Sequence, residues 1–300
     1  MTETDVWASK TSAQHQTSLP PEHLLHSGNA GLIIHRVGML EYEMAQEGRD
    51  FSAELVNYMN RAQAGVATTF LYEEVFGVRD RVHWFVHMKS PELYSRLLEM
   101  VDHDAVFQDI SLRDRLPKKG GGNWEKMFIY GSLRETIMCP QHGFANVDHE
   151  EHTDPRERRE TFVPPATHQT HQPADQQLNS ANAGAIILRT GDVRYEFREE
   201  GRKFLYDWSS YVNDNLPGQA TAFIYEQTWG QQDRIHCLIH LRQLEDYRLV
   251  QEIDRSEGMA KEVYDIERVP EAKGGGRWDR LFVPTSINDV VMVPHLADGR

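Results

Sequence analysis

The chain has few cysteines, no long apolar run and no recognisable export signal. Its 300 residues include two cysteines, Cys139 and Cys237, which is too few for a disulfide framework and typical of a reducing compartment. No apolar run reaches the roughly 18 residues that a membrane-spanning helix requires. The N-terminal residues have neither the basic nor the apolar segment of a secretory signal. We therefore expect a cytoplasmic protein that does not enter a membrane.

Basic residues are also scarce relative to acidic ones. Lysine and arginine number 32 against 46 aspartates and glutamates, which gives a formal net charge of −14. Binding to nucleic acid or to anionic lipid requires surplus positive charge, so neither is an expected partner. The composition, 39% hydrophobic and 26% charged, is that of a globular protein. An enzyme or a binding protein remains, and the composition does not distinguish them; the candidate site residues described below point to a small-molecule substrate as the partner.

The sequence contains an internal repeat. When residues 29–89 are aligned with residues 182–242, 26 of the 61 pairs are identical. The repeat continues at an offset of 154, which pairs Lys119-Gly-Gly-Gly with Lys273-Gly-Gly-Gly. Each copy has the size of one small domain.

The repeat sets the expected domain boundaries. We predict a disordered tail over 1–27, a first ferredoxin-like repeat over 28–140, a polar linker over 141–181 and a second repeat over 182–296. The tail and the linker are rich in polar residues and proline, which favours disorder.

Hydrophobic periodicity gives each copy the element order βαββαβ, the ferredoxin-like split motif. One face of such a sheet has no helices and needs cover. We therefore predict an α+β fold in which the two ferredoxin-like repeats pack sheet-to-sheet, as a pseudo-dimer within one chain. The order and duplication resemble the dimeric α/β-barrel superfamily, and in particular one of its actinobacterial branches. The resemblance implies a site between sheet and helices or inside the barrel. Members of the superfamily include monooxygenases, cyclases and haem-binding enzymes.

The third predicted strand of each copy carries the main candidate catalytic residues. Side chains alternate between strand faces. In the first copy His83, Phe85 and His87 therefore share one face; in the second, His236 and His240 do. We expect these faces to point into the interior between the sheets.

Three roles remain open for these histidines. Residues four apart on a strand lie about 13 Å from each other, so His83 and His87 cannot share one metal ion. A histidine can act as a general base near neutral pH, can hold a haem or metal, or can simply be a hydrogen-bonded core residue. His35 is a further catalytic candidate, because its match in the second copy is Leu188. No cofactor and no metal site is favoured.

Other matched side chains are candidates for substrate binding. They are aromatic or cationic, as a site for a hydrophobic or polyketide-like ligand requires. They comprise Tyr72, Tyr225, Phe70, Phe223, Arg36, Arg189, Trp124 and Trp278. The two tryptophans follow the Lys-Gly-Gly-Gly element, which is interpreted as a lid or a structural turn because a phosphate-loop pattern is missing.

Two classes of function, enzyme and carrier, remain at this point. The favoured one is a tailoring enzyme of secondary metabolism that cyclises, isomerises or oxygenates a hydrophobic molecule in the barrel interior, with a His base and Tyr or Arg stabilising the oxyanion. The alternatives are a haem- or metal-dependent enzyme with a strand His as ligand and a non-catalytic binding protein. Further oligomerisation is left open.

Overall fold

The computed structural model describes residues 11–141 and 164–296. It contains eight strands, four from each copy. They are β1 (Leu32–Met39), β2 (Ala67–Val75), β3 (Arg81–Met88), β4 (Arg134–Pro140), β5 (Ala185–Asp192), β6 (Ala220–Trp229), β7 (Arg234–Leu241) and β8 (Asn288–Pro294).

The α-helices lie outside the strands. They are α1 (Ala45–Ala62), α2 (Tyr94–His103), α3 (Ala105–Leu112), α4 (Arg198–Asn215), α5 (Tyr247–Asp254) and the short α6 (Glu257–Met259), which continues into a π-helical turn, Ala260–Tyr264. Of the helices in the two described ranges, none has the length and apolarity needed to cross a membrane.

The eight strands form one closed antiparallel barrel in the order β1-β3-β2-β8-β5-β7-β6-β4. The prediction of two repeats packed sheet-to-sheet is therefore wrong. The repeats meet edge to edge instead, because β2 hydrogen-bonds to β8 and β4 to β6. This pairing leaves no open strand edge. Strands with apolar residues on both faces fit either arrangement, so periodicity alone could not distinguish them.

Strand alternation sorts side chains between the interior and the helix-covered outside. On β3, Phe85 belongs to the cluster inside the barrel, whereas Val82 and Trp84 pack with α1 residues such as Phe51. The second repeat has the same division, with Leu238 inside and Cys237 outside. The barrel interior and the two sheet–helix layers are therefore separate cores.

The two strand pairs that join the repeats, β2–β8 and β4–β6, are short. Amide side chains form hydrogen bonds with the strand residues beyond each pair. β2 pairs with β8 only from Tyr72 onward. Before that point Asn60 accepts from the backbone N–H of Thr69 and donates to its carbonyl, at 2.7 and 3.0 Å. Gln16 does the same for Leu71, with both bonds 2.8 Å long. These amides supply hydrogen bonds to buried backbone groups beside the stretch where the strand pairing stops.

Matching residues of the second repeat do the same beside the β4–β6 pair. Asn213 bonds both backbone groups of Ala222. Gln169 accepts from the N–H of Ile224 at 2.7 Å and donates to its carbonyl at 2.9 Å.

These glutamines belong to two matching stretches, which we call the entry segments, residues 11–27 and 164–180. Both stretches fall in the predicted tail and linker, but the repeat extends into them. Positions 13, 15, 16, 17 and 27 are identical to positions 166, 168, 169, 170 and 180. Ala13, Ala166, Ser27 and Ser180 are fully buried. The predicted linker also includes residues 142–163, which lie outside the described residues.

Replacing Gln169 with alanine should lower the free energy of unfolding by about 1–3 kcal/mol, because it leaves the buried backbone groups of Ile224 with fewer partners. The measurement is urea unfolding followed by circular dichroism. Gln176→Ala, at an exposed position, is the matched control and should change stability by less than about 0.5 kcal/mol. Equal stability of the two variants would contradict the proposed role of Gln169.

Candidate functional site

All five histidines predicted to be catalytic lie inside the barrel and are buried. They are His35, His83, His87, His236 and His240. The predicted substrate-binding residues Phe70, Phe223, Tyr72 and Tyr225 surround them and are fully buried as well. The structure therefore brings these candidates together, but in a packed core.

At one end of the barrel each repeat supplies a serine to a histidine of the other repeat. The hydroxyl of Ser180 lies 2.8 Å from His87 Nε2, and His87 Nδ1 lies 3.2 Å from the carbonyl of Thr68. Since only a protonated Nδ1 can donate to a carbonyl, Nε2 accepts from the serine. Ser27 and His240 form the same contact, also at 2.8 Å.

The two serines also bond to each other's backbone. Each serine N–H donates to the other hydroxyl at 2.9 Å. The hydroxyl of Tyr225 donates to the carbonyl of Ser27 at 2.5 Å, and Tyr72 donates to that of Ser180. This end of the interior is filled by the protein itself. A catalytic role for His87 and His240 remains a prediction.

The remaining interior histidines, His35, His83 and His236, have different surroundings in the two repeats. His35 Nε2 lies 2.9 Å from His83 Nδ1, and His83 Nε2 lies 3.5 Å from Glu74. In the second repeat Leu188 and Gln227 stand at the positions of His35 and Glu74. Both ring nitrogens of His236 are buried without a hydrogen-bond partner in the described part of the chain. Burial lowers the pKa of His236 to about 4.

A cavity of about 510 Å³ lies on the outer face of the first repeat, between the sheet and helices α1, α2 and α3. Its wall is mostly apolar and aromatic. Phe51, Leu55 and Met59 come from α1, Trp84 and Val86 from β3, Tyr94 and Leu97 from α2, Phe107 from α3, and Trp124 and Phe128 from the loop before β4. We call this space the first cavity.

The strands form the floor of the first cavity. Among the polar side chains that they contribute are Arg36 from β1, Trp84 from β3 and Glu135 from β4. Arg36 and Glu135 form an ion pair that is partly open to solvent. The indole nitrogen of Trp84 is buried and has no hydrogen-bond partner among residues 11–141 and 164–296. Of the predicted substrate-binding residues, Arg36 and Trp124 line this cavity.

The equivalent space in the second repeat, which we call the second cavity, measures only about 240 Å³. Trp208, which stands where the first repeat has Leu55, is 3% exposed and donates from Nε1 to Asp254 at 2.8 Å. The hydroxyl of Tyr264 donates to the same carboxylate. Arg189 and Trp278, also predicted to bind substrate, line this smaller space.

Leu55 and Trp84 are site residues that were not predicted from the sequence. The signal was nevertheless present, because the aligned copies differ sharply in side-chain size at these two positions. Leu55 is matched by Trp208, and Trp84 by Cys237.

The Lys-Gly-Gly-Gly element is a turn that positions Trp124. Gly120, Gly121 and Gly122 all have positive φ, which glycine adopts most readily. Lys119 forms a 2.6 Å ion pair with Glu47 at the start of α1. The ring of Trp124 then stacks with Phe51, and the two centroids are 6.5 Å apart.

The described residues do not fit a haem held by a strand histidine. Haem iron is held by His, Cys, Met or Tyr side chains. Neither cavity wall includes a histidine, and the strand histidines lie in the packed interior. Across residues 11–141 and 164–296, no group of three or more His, Cys, Asp or Glu side chains could hold a metal ion.

A family model matches residues 2–299 of the sequence. The chain belongs to DUF6039, a family of unknown function. A comparison with curated proteins gave no match.

Solved structures of low sequence identity are similar to the DUF6039 chain. A candidate monooxygenase from Fusobacterium nucleatum is 8% identical, with a TM-score of 0.51 over 89% of this chain and 93% of that one. A second, from Lactobacillus acidophilus, is 7% identical, with a TM-score of 0.51 over 88% and 94%. A chlorite dismutase mutant from Candidatus Nitrospira defluvii is 10% identical, with a TM-score of 0.44 over 89% and 92%. At these identities, the two candidate monooxygenases show a shared fold and no more.

Acid should destabilise the barrel through its buried histidines. Burial lowers the pKa values of His87 and His240 to about 3, against about 6.5 in the unfolded chain. The unfolded state therefore binds more protons below pH 6.5, and the free energy of unfolding should fall as the pH drops from 6.5 toward 3. Urea unfolding at several pH values measures this dependence.

His87→Gln removes one of the titrating groups, so its free energy of unfolding should depend less steeply on pH over that range. The control is His103→Gln, at an exposed position at the end of α2, which should retain the wild-type dependence. If all three proteins show the same slope, His87 is not neutral in the folded state.

Proposed function

We propose that this protein is an enzyme that binds a largely apolar, aromatic small molecule in the first cavity. The observation that carries the proposal is the cavity itself: about 510 Å³ bordered by aromatic side chains, in one repeat only. Sites for small molecules are typically apolar clefts of about 300–1,000 Å³ with a few polar groups. The first cavity meets each of these criteria.

Trp84 and Arg36 indicate that the ligand carries an oxygen acceptor. A buried indole N–H without a partner costs about 1–3 kcal/mol, and such groups usually find a hydrogen bond. Trp84 is part of the cavity wall, although its indole nitrogen is buried in this conformation. A small rotation of the ring would let a ligand carbonyl or phenol oxygen accept its N–H. Arg36 lines the same wall and can stabilise negative charge on that oxygen.

Of the reactions expected from the sequence, we propose oxygenation, in keeping with the names of the two candidate monooxygenases that share the fold. A substrate with a CH₂ group between aromatic rings can supply all the electrons itself. Two C–H bonds break, one atom of O₂ becomes a carbonyl oxygen on that carbon, and the other atom leaves as water. No external reductant is required.

Leu55→Trp should abolish binding and turnover, because it places in the first cavity the side chain that fills the second. The control Leu55→Met keeps the volume and should retain both. Binding is measured by calorimetric titration with 2-naphthol, and turnover by oxygen uptake with anthrone, whose ring CH₂ can be oxidised to a ketone. Full binding by Leu55→Trp would show that the ligand lies elsewhere.

Trp84→Phe should weaken binding of 2-naphthol by about 3- to 10-fold and leave binding of naphthalene unchanged, because only the former offers an oxygen to the indole N–H. The measurement is fluorescence titration of the two compounds. An equal loss for both would assign Trp84 a packing role only.

A further inference from the structure

We infer that the second repeat retains the same ligand site, with the indole ring of Trp208 in the position that the ligand ring takes in the first repeat. The inference rests on the proposed function of the first cavity. It adds a second site, closed by the chain's own side chain, and a specific contact for the ligand.

The two cavities are built from matching residues. The shared wall consists of an arginine on the first strand, a phenylalanine on the long helix, and a tryptophan and a phenylalanine from the loop before the last strand. These are Arg36, Phe51, Trp124 and Phe128 in the first repeat and Arg189, Phe204, Trp278 and Phe282 in the second.

Trp208 is held as a bound aromatic molecule would be. The guanidinium of Arg189 lies over its ring, 5.2 Å from the centroid. Its Nε1–H donates to Asp254, and Arg189 is itself fixed by two 2.8 Å bonds to Asp289. Although burial alone would lower the pKa of Arg189, the hydrogen bonds and charge of Asp289 raise it, so the guanidinium stays charged.

The first repeat has the same arginine without the ring. Arg36 pairs with Glu135 as Arg189 does with Asp289. Leu55 replaces Trp208, and both Arg36 and Leu55 line the first cavity. A planar fused ring that enters the cavity can therefore lie against the Arg36 guanidinium, as the indole does in the second repeat, and gain a cation–π contact. Arg36 is thus assigned as the residue that selects planar aromatic ligands.

Removing the internal ring should open the second site. Wild-type protein should bind one equivalent of 2-naphthol and Trp208→Ala two, measured by calorimetric titration, with circular dichroism to confirm folding. The double variant Leu55→Trp/Trp208→Ala should bind one again, now in the second repeat. Trp229→Ala, at a half-exposed tryptophan far along β6, is the control and should bind one.

One equivalent for a folded Trp208→Ala would overturn this inference while leaving the first cavity's function intact. No binding by the wild type would instead contradict the proposed function. If Trp208→Ala does not fold, Trp208→Leu, which copies the first repeat, decides the question in the same way.

Planarity gives an independent test. Wild-type protein should bind 2-naphthol about 2- to 30-fold more tightly than the saturated decahydro-2-naphthol, as a cation–π contact predicts. Arg36→Lys keeps the charge opposite Glu135 but loses the flat guanidinium, so most of this preference should disappear. Equal affinities of the wild type for both compounds would overturn the assignment of Arg36.

Discussion

Antiparallel hydrogen bonding between edge strands of different repeats is the interaction on which this structure depends. The pairs β2–β8 and β4–β6 close the barrel, and once it is closed its interior must be filled from within the chain. The entry segments do this: they bring Ser27 and Ser180 onto His240 and His87, and they supply Gln16 and Gln169 to the stretches where the strand ladders stop. Each repeat therefore completes the core of the other.

Because the barrel interior is filled, the candidate ligand site lies on the outer face of the sheet. Of the interior histidines, His87 and His240 bond to serine and to backbone carbonyls, and His35 bonds to His83. The layer between sheet and helices is packed less completely in the first repeat, where the covering helices leave an aromatic cavity. The same layer in the second repeat is closed by the contacts of Trp208, Asp254 and Tyr264.

Much of the strand arrangement could be predicted from the sequence. Two-residue alternation correctly placed His83, Phe85 and His87 on the inner face. Edge-to-edge closure could not be predicted, because the same alternation suits two facing sheets. The entry segments were missed because their glutamines and serines have the composition of a linker, although here they replace strand partners. The resemblance included a site between sheet and helices, but the residues that match between the copies could not indicate which repeat holds it. The mismatch between Leu55 and Trp208 does so.

The mismatch between Leu55 and Trp208 is possible because the two repeats can evolve independently. In a symmetric homodimer one codon specifies the same position twice, so a tryptophan that blocks one pocket blocks both. Joining the two halves in a single gene separates those positions. Leu55 and Trp208 can then be selected independently, and one half is free to gain stability from a filled pocket while the other keeps the opening that a ligand needs. The duplication therefore removes a conflict between stability and binding that symmetry would impose.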